Sequence, residues 1–149
     1  MYDLMIIGSG PAGISAALTA KARNLNFIWF GSRALSTKIE KAEKIMNYPG
    51  LPAVTGSEMQ SVFLKQIDDC GITITESQVN SIYDCGGYFA AGADNEIYEA
   101  KAVIMTVGMT TTREIEGEAR LLGCGVSYCA TCDLSLIHIS EPTRHLRIS

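Results

Sequence analysis

The sequence predicts an α/β fold built around a parallel sheet, and three observations carry that expectation. The apolar run Leu4, Met5, Ile6, Ile7 shows no polar alternation, as a strand covered on both faces requires. Gly8, Gly10 and Gly13 follow at once with the spacing of a turn that leads from a strand into a helix. A second run, Asn26 to Phe30, then completes a strand, turn, helix and strand within about thirty residues.

Each residue of that turn has a distinct expected task. Gly8 allows the tight turn, Gly10 lets a pyrophosphate approach the backbone, and Gly13 lets the helix sit close to the strand. Pro11 suits the first helical position, where its missing N–H costs nothing. The helix expected over Ala12 to Arg23 is alanine-rich and ends near Asn24, and its first amides stay free for phosphate oxygens. Gly8, Gly10, Pro11, Ala12 and Gly13 are therefore the candidate dinucleotide-binding residues. An acidic partner for the adenosine ribose is expected about twenty residues beyond the glycines. The chain reads Gly31-Ser32-Arg33 there. Arg33 fits a solvated arginine or, as the rival reading, a partner for the 2′-phosphate of NADP.

Further along, Lys38 to Lys44 alternates lysine and glutamate and reads as a solvated helical face. Asn47-Tyr48-Pro49-Gly50 is turn chemistry. Ser57 and Gln60 have capping-box spacing, and Met59, Phe63, Ile67 and Cys70 recur at helical intervals before Gly71, so Cys70 is expected in the core. Ile72 to Thr75 reads as a short strand. Val79 to Tyr83, Tyr88 to Ala91 and Glu96 to Ala100 alternate between turn residues, as an antiparallel meander does. Ala102 to Val107 reads as one more buried strand, ending in Gly108.

Composition narrows the function. The chain has 149 residues, 47% of them hydrophobic and 19% charged, with a formal net charge of −4. That acidity argues against nucleic acid, which calls for a cationic surface. Tyr2-Asp3 precedes the first strand without a cationic leader or a long apolar run, so neither a secretory signal nor a membrane span is expected. Five cysteines at irregular spacing suit a reducing compartment, and a cytoplasmic location is expected.

The most specific chemistry is Cys129-Ala130-Thr131-Cys132-Asp133. Two thiols separated by two residues can close a disulfide across one turn, and the adjoining carboxylate can move the proton that the exchange releases. Joined to an upstream dinucleotide turn, the pair reads as redox-active. Cys124, Cys129 and Cys132 also have the Cys-x4-Cys-x2-Cys spacing of an iron–sulfur ligand set, but no fourth cysteine follows. A zinc site lacks its second ligand pair in the same way, so no metal is expected.

Ile6-Ile7-Gly8-Ser9-Gly10-Pro11-Ala12-Gly13, Asn47-Tyr48-Pro49-Gly50 and Gly125 to Asp133 together resemble the N-terminal part of the low-molecular-weight thioredoxin reductases. These are flavin-dependent pyridine-nucleotide disulfide oxidoreductases. The resemblance implies a three-layer, Rossmann-like FAD-binding fold with an antiparallel meander, incomplete in this chain. Residues 1–113 would be the N-terminal part of the FAD domain, and 114–133 the start of the disulfide/NADPH domain. It further implies FAD on Gly10 to Gly13, with Asn47 and Gly108 lining the pocket. Cys132 would face the flavin, Cys129 would attack a thioredoxin-like protein substrate, and Asp133 would serve as acid and base. NADPH would bind outside this chain, and the complete parent would be a homodimer.

Two stretches depart from the family pattern: Ser36-Thr37-Lys38-Ile39 replaces Gly-Gly-Gln-Leu, and Thr106-Val107-Gly108 replaces Ala-Thr-Gly. The resemblance implies electrons passing from NAD(P)H through FAD to the Cys129/Cys132 pair, with a subgroup that takes them from another donor, such as reduced ferredoxin, as the alternative. Residues 134–149, LSLIHISEPTRHLRIS, carry no family feature, and their first eleven read as an in-frame translation of a transposase adapter from sequencing libraries. They are expected to be a foreign tail and the chain an inactive fragment. A non-catalytic FAD- or NADP-binding module is the alternative.

Overall fold

The structure, a computed structural model, describes residues 1–40, 42–108 and 120. The elements below belong to one compact unit, Met1–Met109. In chain order they are β1 (Tyr2–Ile7), α1 (Pro11–Ala22), β2 (Phe27–Phe30), α2 (Thr37–Glu40), α3 (Gly56–Asp69), β3 (Val79–Asp84), β4 (Phe89–Ala93) and β5 (Glu96–Met105).

One mixed sheet has the strand order β2-β1-β5-β4-β3. β1 lies parallel to both β2 and β5, whereas β3, β4 and β5 run antiparallel. The expected meander and the expected final strand are thus joined. Glu96 to Ala100 pairs with β4, Ala100 to Met105 pairs with β1, and Ala100 faces both Phe89 and Tyr2. Lys101, which was to separate two strands, continues β5 and bonds Asp3 Oδ1 at 2.7 Å.

The same pairing explains a second difference. Ala102, Ile104, Met105 and Val107 are exposed rather than buried, with Met105 at 62% and Val107 at 59%. Past Ala100 the pairing with β4 has ended, and among the described residues β5 has a strand on its β1 side alone. Ile72 to Thr75 is also less than a strand: Thr75 makes an isolated parallel bridge to Phe30.

Alternation along β1 and β2 divides the core into two layers. Leu4, Ile6 and Trp29 point towards the helices and pack with Ile14, Ala17 and Ala20 of α1 and Met59, Phe63 and Ile67 of α3. Met5, Ile7, Ile28 and Phe30 point the other way, towards Ala91, Ala93 and Ala100 of the meander. Phe30 meets Tyr98 edge to face, with ring centroids 5.0 Å apart. Helices, parallel strands and meander therefore form the three expected layers. The small residues of α1 allow it a close approach to the sheet.

Helix ends shift two of the expected assignments. Thr55, not Ser57, caps α3: its hydroxyl accepts from Glu58 N, and the Glu58 carboxylate accepts from Thr55 N. Cys70 becomes the C-cap and is exposed, because α3 stops at Asp69 and Ile72 fills the core instead. No described helix is long and apolar enough to cross a membrane.

Among the described residues, three carboxyls titrate below their ordinary values in this fold. Asp3 is held down first by its bond from Lys101, Glu58 by the Thr55 amide, and Asp68 by the Arg33 guanidinium. Because each is more acidic folded than unfolded, its stabilisation is complete above the unfolded range and disappears as pH falls through the lowered values. The urea midpoint should stay level from neutrality to about pH 5 and decline below about pH 4. Asp68→Asn should lessen that decline, and unfolding curves across this range measure both effects.

Candidate functional site

The glycine turn sits where β1 enters α1, held from three sides. Gly8 has φ +111°, and a Cβ there would run into the Thr106 carbonyl and stand 2.8 Å from Thr106 Oγ1. At Gly13 a Cβ would run into the Gly8 carbonyl. These two glycines are therefore required by contact between β1, α1 and the end of β5. Gly10 differs, since among the described residues nothing lies within 4 Å of where its Cβ would be.

Side chains that the sequence reading overlooked fasten this turn. Trp29 Nε1 donates to the Gly8 carbonyl at 2.9 Å, and Thr106 Oγ1 shares its proton between the carbonyls of Ile7 and Gly8 at 2.9 and 3.0 Å. Ser9, the buried polar residue of the turn, accepts from Ser32 N at 3.0 Å and donates to Leu35 O at 3.1 Å. Thus β2's following loop hangs on the middle of the turn. Only Ser9 had a local signal, its place between two glycines; Trp29 and Thr106 act across 21 and 98 residues.

Losing one of two donors to the Gly8 carbonyl should cost about 1 kcal/mol in either Thr106→Val or Trp29→Phe. The double variant leaves that carbonyl with neither, so its loss should exceed the sum by about 1 kcal/mol. Urea unfolding of the four proteins measures the coupling.

At the start of α1, Gly10 is the N-cap and Pro11 occupies the first turn. Among the described residues no side chain caps the helix, and no acidic residue lies in its first turn. Ile14 N bonds Gly10 O at 3.0 Å, which starts the helical ladder. Pro11 is half-buried and Ala12 exposed. The helix dipole and the early amides favour an anion at this end.

Of the other candidates, Gly108 lies two residues past Thr106, exposed, with φ +68° and no described residue within 4 Å of its Cβ position. Asn47 is exposed in the loop between α2 and α3, and among the described residues no hydrogen bond joins it to the glycine turn. Tyr48 beside it packs on Phe63 at a centroid distance of 5.4 Å. Cys124, Cys129, Cys132 and Asp133 lie outside the described residues. Among the described residues no three His, Cys, Asp or Glu side chains gather as a metal site.

Arg33 is exposed, as the solvated reading expects, and it is also paired. Its guanidinium forks onto Asp68 of α3, with Nη1 and Nη2 bonding Oδ1 at 3.0 and 3.1 Å and Nη2 bonding Oδ2 at 3.0 Å. Asp68 raises the Arg33 pKa, and Arg33 lowers that of Asp68. The Arg33 amide donates to Glu76 Oε1 at 2.7 Å.

Comparisons with known proteins place this geometry. The chain is similar to the ferredoxin-flavin thioredoxin reductase of Clostridium acetobutylicum, with 47% identity and a TM-score of 0.73 over 91% of this chain and 47% of that one. It is 31% identical to the thioredoxin reductase of Bacillus subtilis over 89% of its own length and 42% of that protein. It is 35% identical to a bifunctional thioredoxin reductase/thioredoxin of Mycobacterium leprae, covering 30% of it. The chain thus spans less than half of each of these relatives. The pyridine nucleotide-disulphide oxidoreductase family matches residues 2–141, and to that family, on its thioredoxin reductase-like branch, this chain belongs.

Proposed function

We propose that the natural protein carrying this chain is an FAD-dependent disulfide oxidoreductase acting on a thioredoxin-like protein through Cys129 and Cys132. The observation that carries the reading is the glycine turn. Gly8 and Gly13 are filled from behind by the protein's own backbone, while no described residue lies within 4 Å of the Cβ position of Gly10, the N-cap without a side chain. Such a turn fits a pyrophosphate, and the first shared property of the matched relatives is thioredoxin reduction, as their names state.

In this reading Gly10, Ala12 and Gly13 hold the FAD pyrophosphate by backbone amides, with Pro11 setting the helix start. Asn47 and Gly108 line the remainder of the pocket. The Cys129 thiolate attacks the substrate disulfide and forms a mixed disulfide, which Cys132 resolves to release the reduced substrate. Asp133 gives the departing thiolate its proton. When bound and already reduced by the electron donor, the flavin would supply the electron pair that returns the Cys129–Cys132 disulfide to the dithiol. The resident pair and the substrate pair thereby exchange oxidation states with no net gain or loss of thiols.

Reduced ferredoxin, rather than NADPH, is the donor we favour. The ferredoxin-flavin enzyme shares 47% of matched residues with this chain, against 31% for the Bacillus subtilis enzyme. The test is to purify the full protein, record its flavin spectrum, and supply a thioredoxin disulfide with NADPH or with reduced ferredoxin. Turnover with ferredoxin alone is expected. Turnover with NADPH alone would reverse the donor assignment, and a colourless protein inactive with both would overturn the function.

A further inference from the structure

We propose that Glu76, carried on the segment after Thr75 rather than on β2, accepts the 2′-hydroxyl of the adenosine ribose of the dinucleotide held at the glycine turn. The assignment rests on the FAD reading above and names the residue that sets its ribose selectivity. A dinucleotide turn of this type places a carboxylate by the end of its second strand, where it can accept from the ribose. β2 offers none, because Gly31, Ser32 and Arg33 follow Phe30. Arg33 stands at that place, and its guanidinium is drawn away onto Asp68 by three hydrogen bonds.

Tertiary structure brings a carboxylate to the vacant position from another element. Thr75 bridges Phe30 in parallel, its carbonyl accepts from Gly31 N at 3.1 Å, and its amide donates to Trp29 O at 2.7 Å. The next residue, Glu76, then lies beside the chain leaving β2, and its Oε1 accepts from Arg33 N at 2.7 Å. One residue back, Ser32 N donates to Ser9 Oγ, and Ser9 separates Gly8 from Gly10. The carboxylate is thus fixed one residue from the point at which the β2 loop is tied to the turn. Glu76 is exposed, and among the described residues Oε2 has no hydrogen-bond partner.

A carboxylate with one oxygen anchored by a backbone amide and the other open is an acceptor for a ribose hydroxyl. It is also a repellent for a 2′-phosphate, whose natural partner Arg33 is already engaged. The fold therefore suits an unphosphorylated adenosine ribose, as in FAD.

Glu76→Gln tests this with little change of shape, because the amide oxygen can still accept from Arg33 N. Apo-protein prepared from the full flavoprotein is titrated with FAD and with the FAD analogue lacking the adenosine 2′-hydroxyl. The variant should bind FAD about tenfold more weakly, as expected for loss of a charge-assisted hydrogen bond, and should bind the deoxy analogue as the unaltered protein does, within about twofold. An equal loss with both ligands would assign Glu76 a structural role through Arg33, and undiminished FAD affinity would remove it from the site; either result overturns the proposal. Failure of the unaltered protein to bind FAD would instead overturn the flavin reading, and this assignment with it.

Discussion

Cys132→Ser in the full protein should lower disulfide turnover by at least ~10³-fold while flavin content stays unchanged. Exchange with a protein disulfide needs a second sulfur to resolve the mixed disulfide, and a serine hydroxyl cannot form the S–S bond that completes it. The cofactor's ADP half, by contrast, would rest on the turn between β1 and α1, which the substitution does not touch. Cys124→Ser is the matched control: if Cys129 and Cys132 carry the electrons, it should keep activity within about twofold. Simultaneous measurement of flavin absorbance and thioredoxin reduction checks the set. Normal turnover in Cys132→Ser would sink the dithiol mechanism, and loss of a coloured metal centre in Cys124→Ser would revive the iron–sulfur alternative.

Gly13→Val and Gly10→Val should separate folding from binding within a single turn. At Gly13 the added Cβ would occupy the position of the Gly8 carbonyl, with Thr106 Oγ1 a further 2.9 Å contact. Backbone on that side cannot swing away as a side chain could, because Trp29 and Thr106 both bond the same carbonyl. α1 would have to lift from the sheet, at a cost of about 4 kcal/mol or more, the range of severe core overpacking. That is a large fraction of a typical domain's stability, so the cooperative urea transition should shift strongly or vanish.

Gly10→Val meets no such obstacle. Its φ is −71° and no described residue lies within 4 Å of its Cβ position, so the cost should be that of a poor N-cap, about 1 kcal/mol. FAD should nevertheless be lost, because the branched side chain fills the space through which the pyrophosphate reaches the backbone. Circular dichroism with flavin content distinguishes the two. A folded Gly10→Val protein with stoichiometric FAD would show that the glycine has a structural use only.

Much of the fold was legible because its signals lie on consecutive residues. The unalternating run of β1, the Gly8, Gly10 and Gly13 spacing, Pro11 at the helix start and the Met59, Phe63, Ile67 stripe of α3 each depend on local geometry, which neighbours in sequence determine. The meander was legible for the same reason: alternation and turn residues mark its hairpins. Family membership was readable too, since the three quoted motifs span the chain. Cys129, Cys132 and Asp133 had only this sequence signal, and they lie outside the described residues.

Other features had no local signature. One strand, β5, serves the meander with Glu96 to Ala100 and β1 with Ala100 to Met105, and alternation along a strand does not reveal a change of partner. The exposure of Cys70 turned on where α3 stopped, which Gly71 at φ +60° and the need to bury Ile72 decided. Arg33 looked solvated or phosphate-seeking because its partner, Asp68, lies on a helix 35 residues away. Trp29 and Thr106 were read as strand residues, yet their polar atoms meet at one carbonyl. Sequence by itself determined the chain's periodicities and the turn's backbone; tertiary structure decided which side chains hold that turn and where charge stands around it, because hydrogen bonds and ion pairs form between atoms adjacent in space, whatever their separation along the chain.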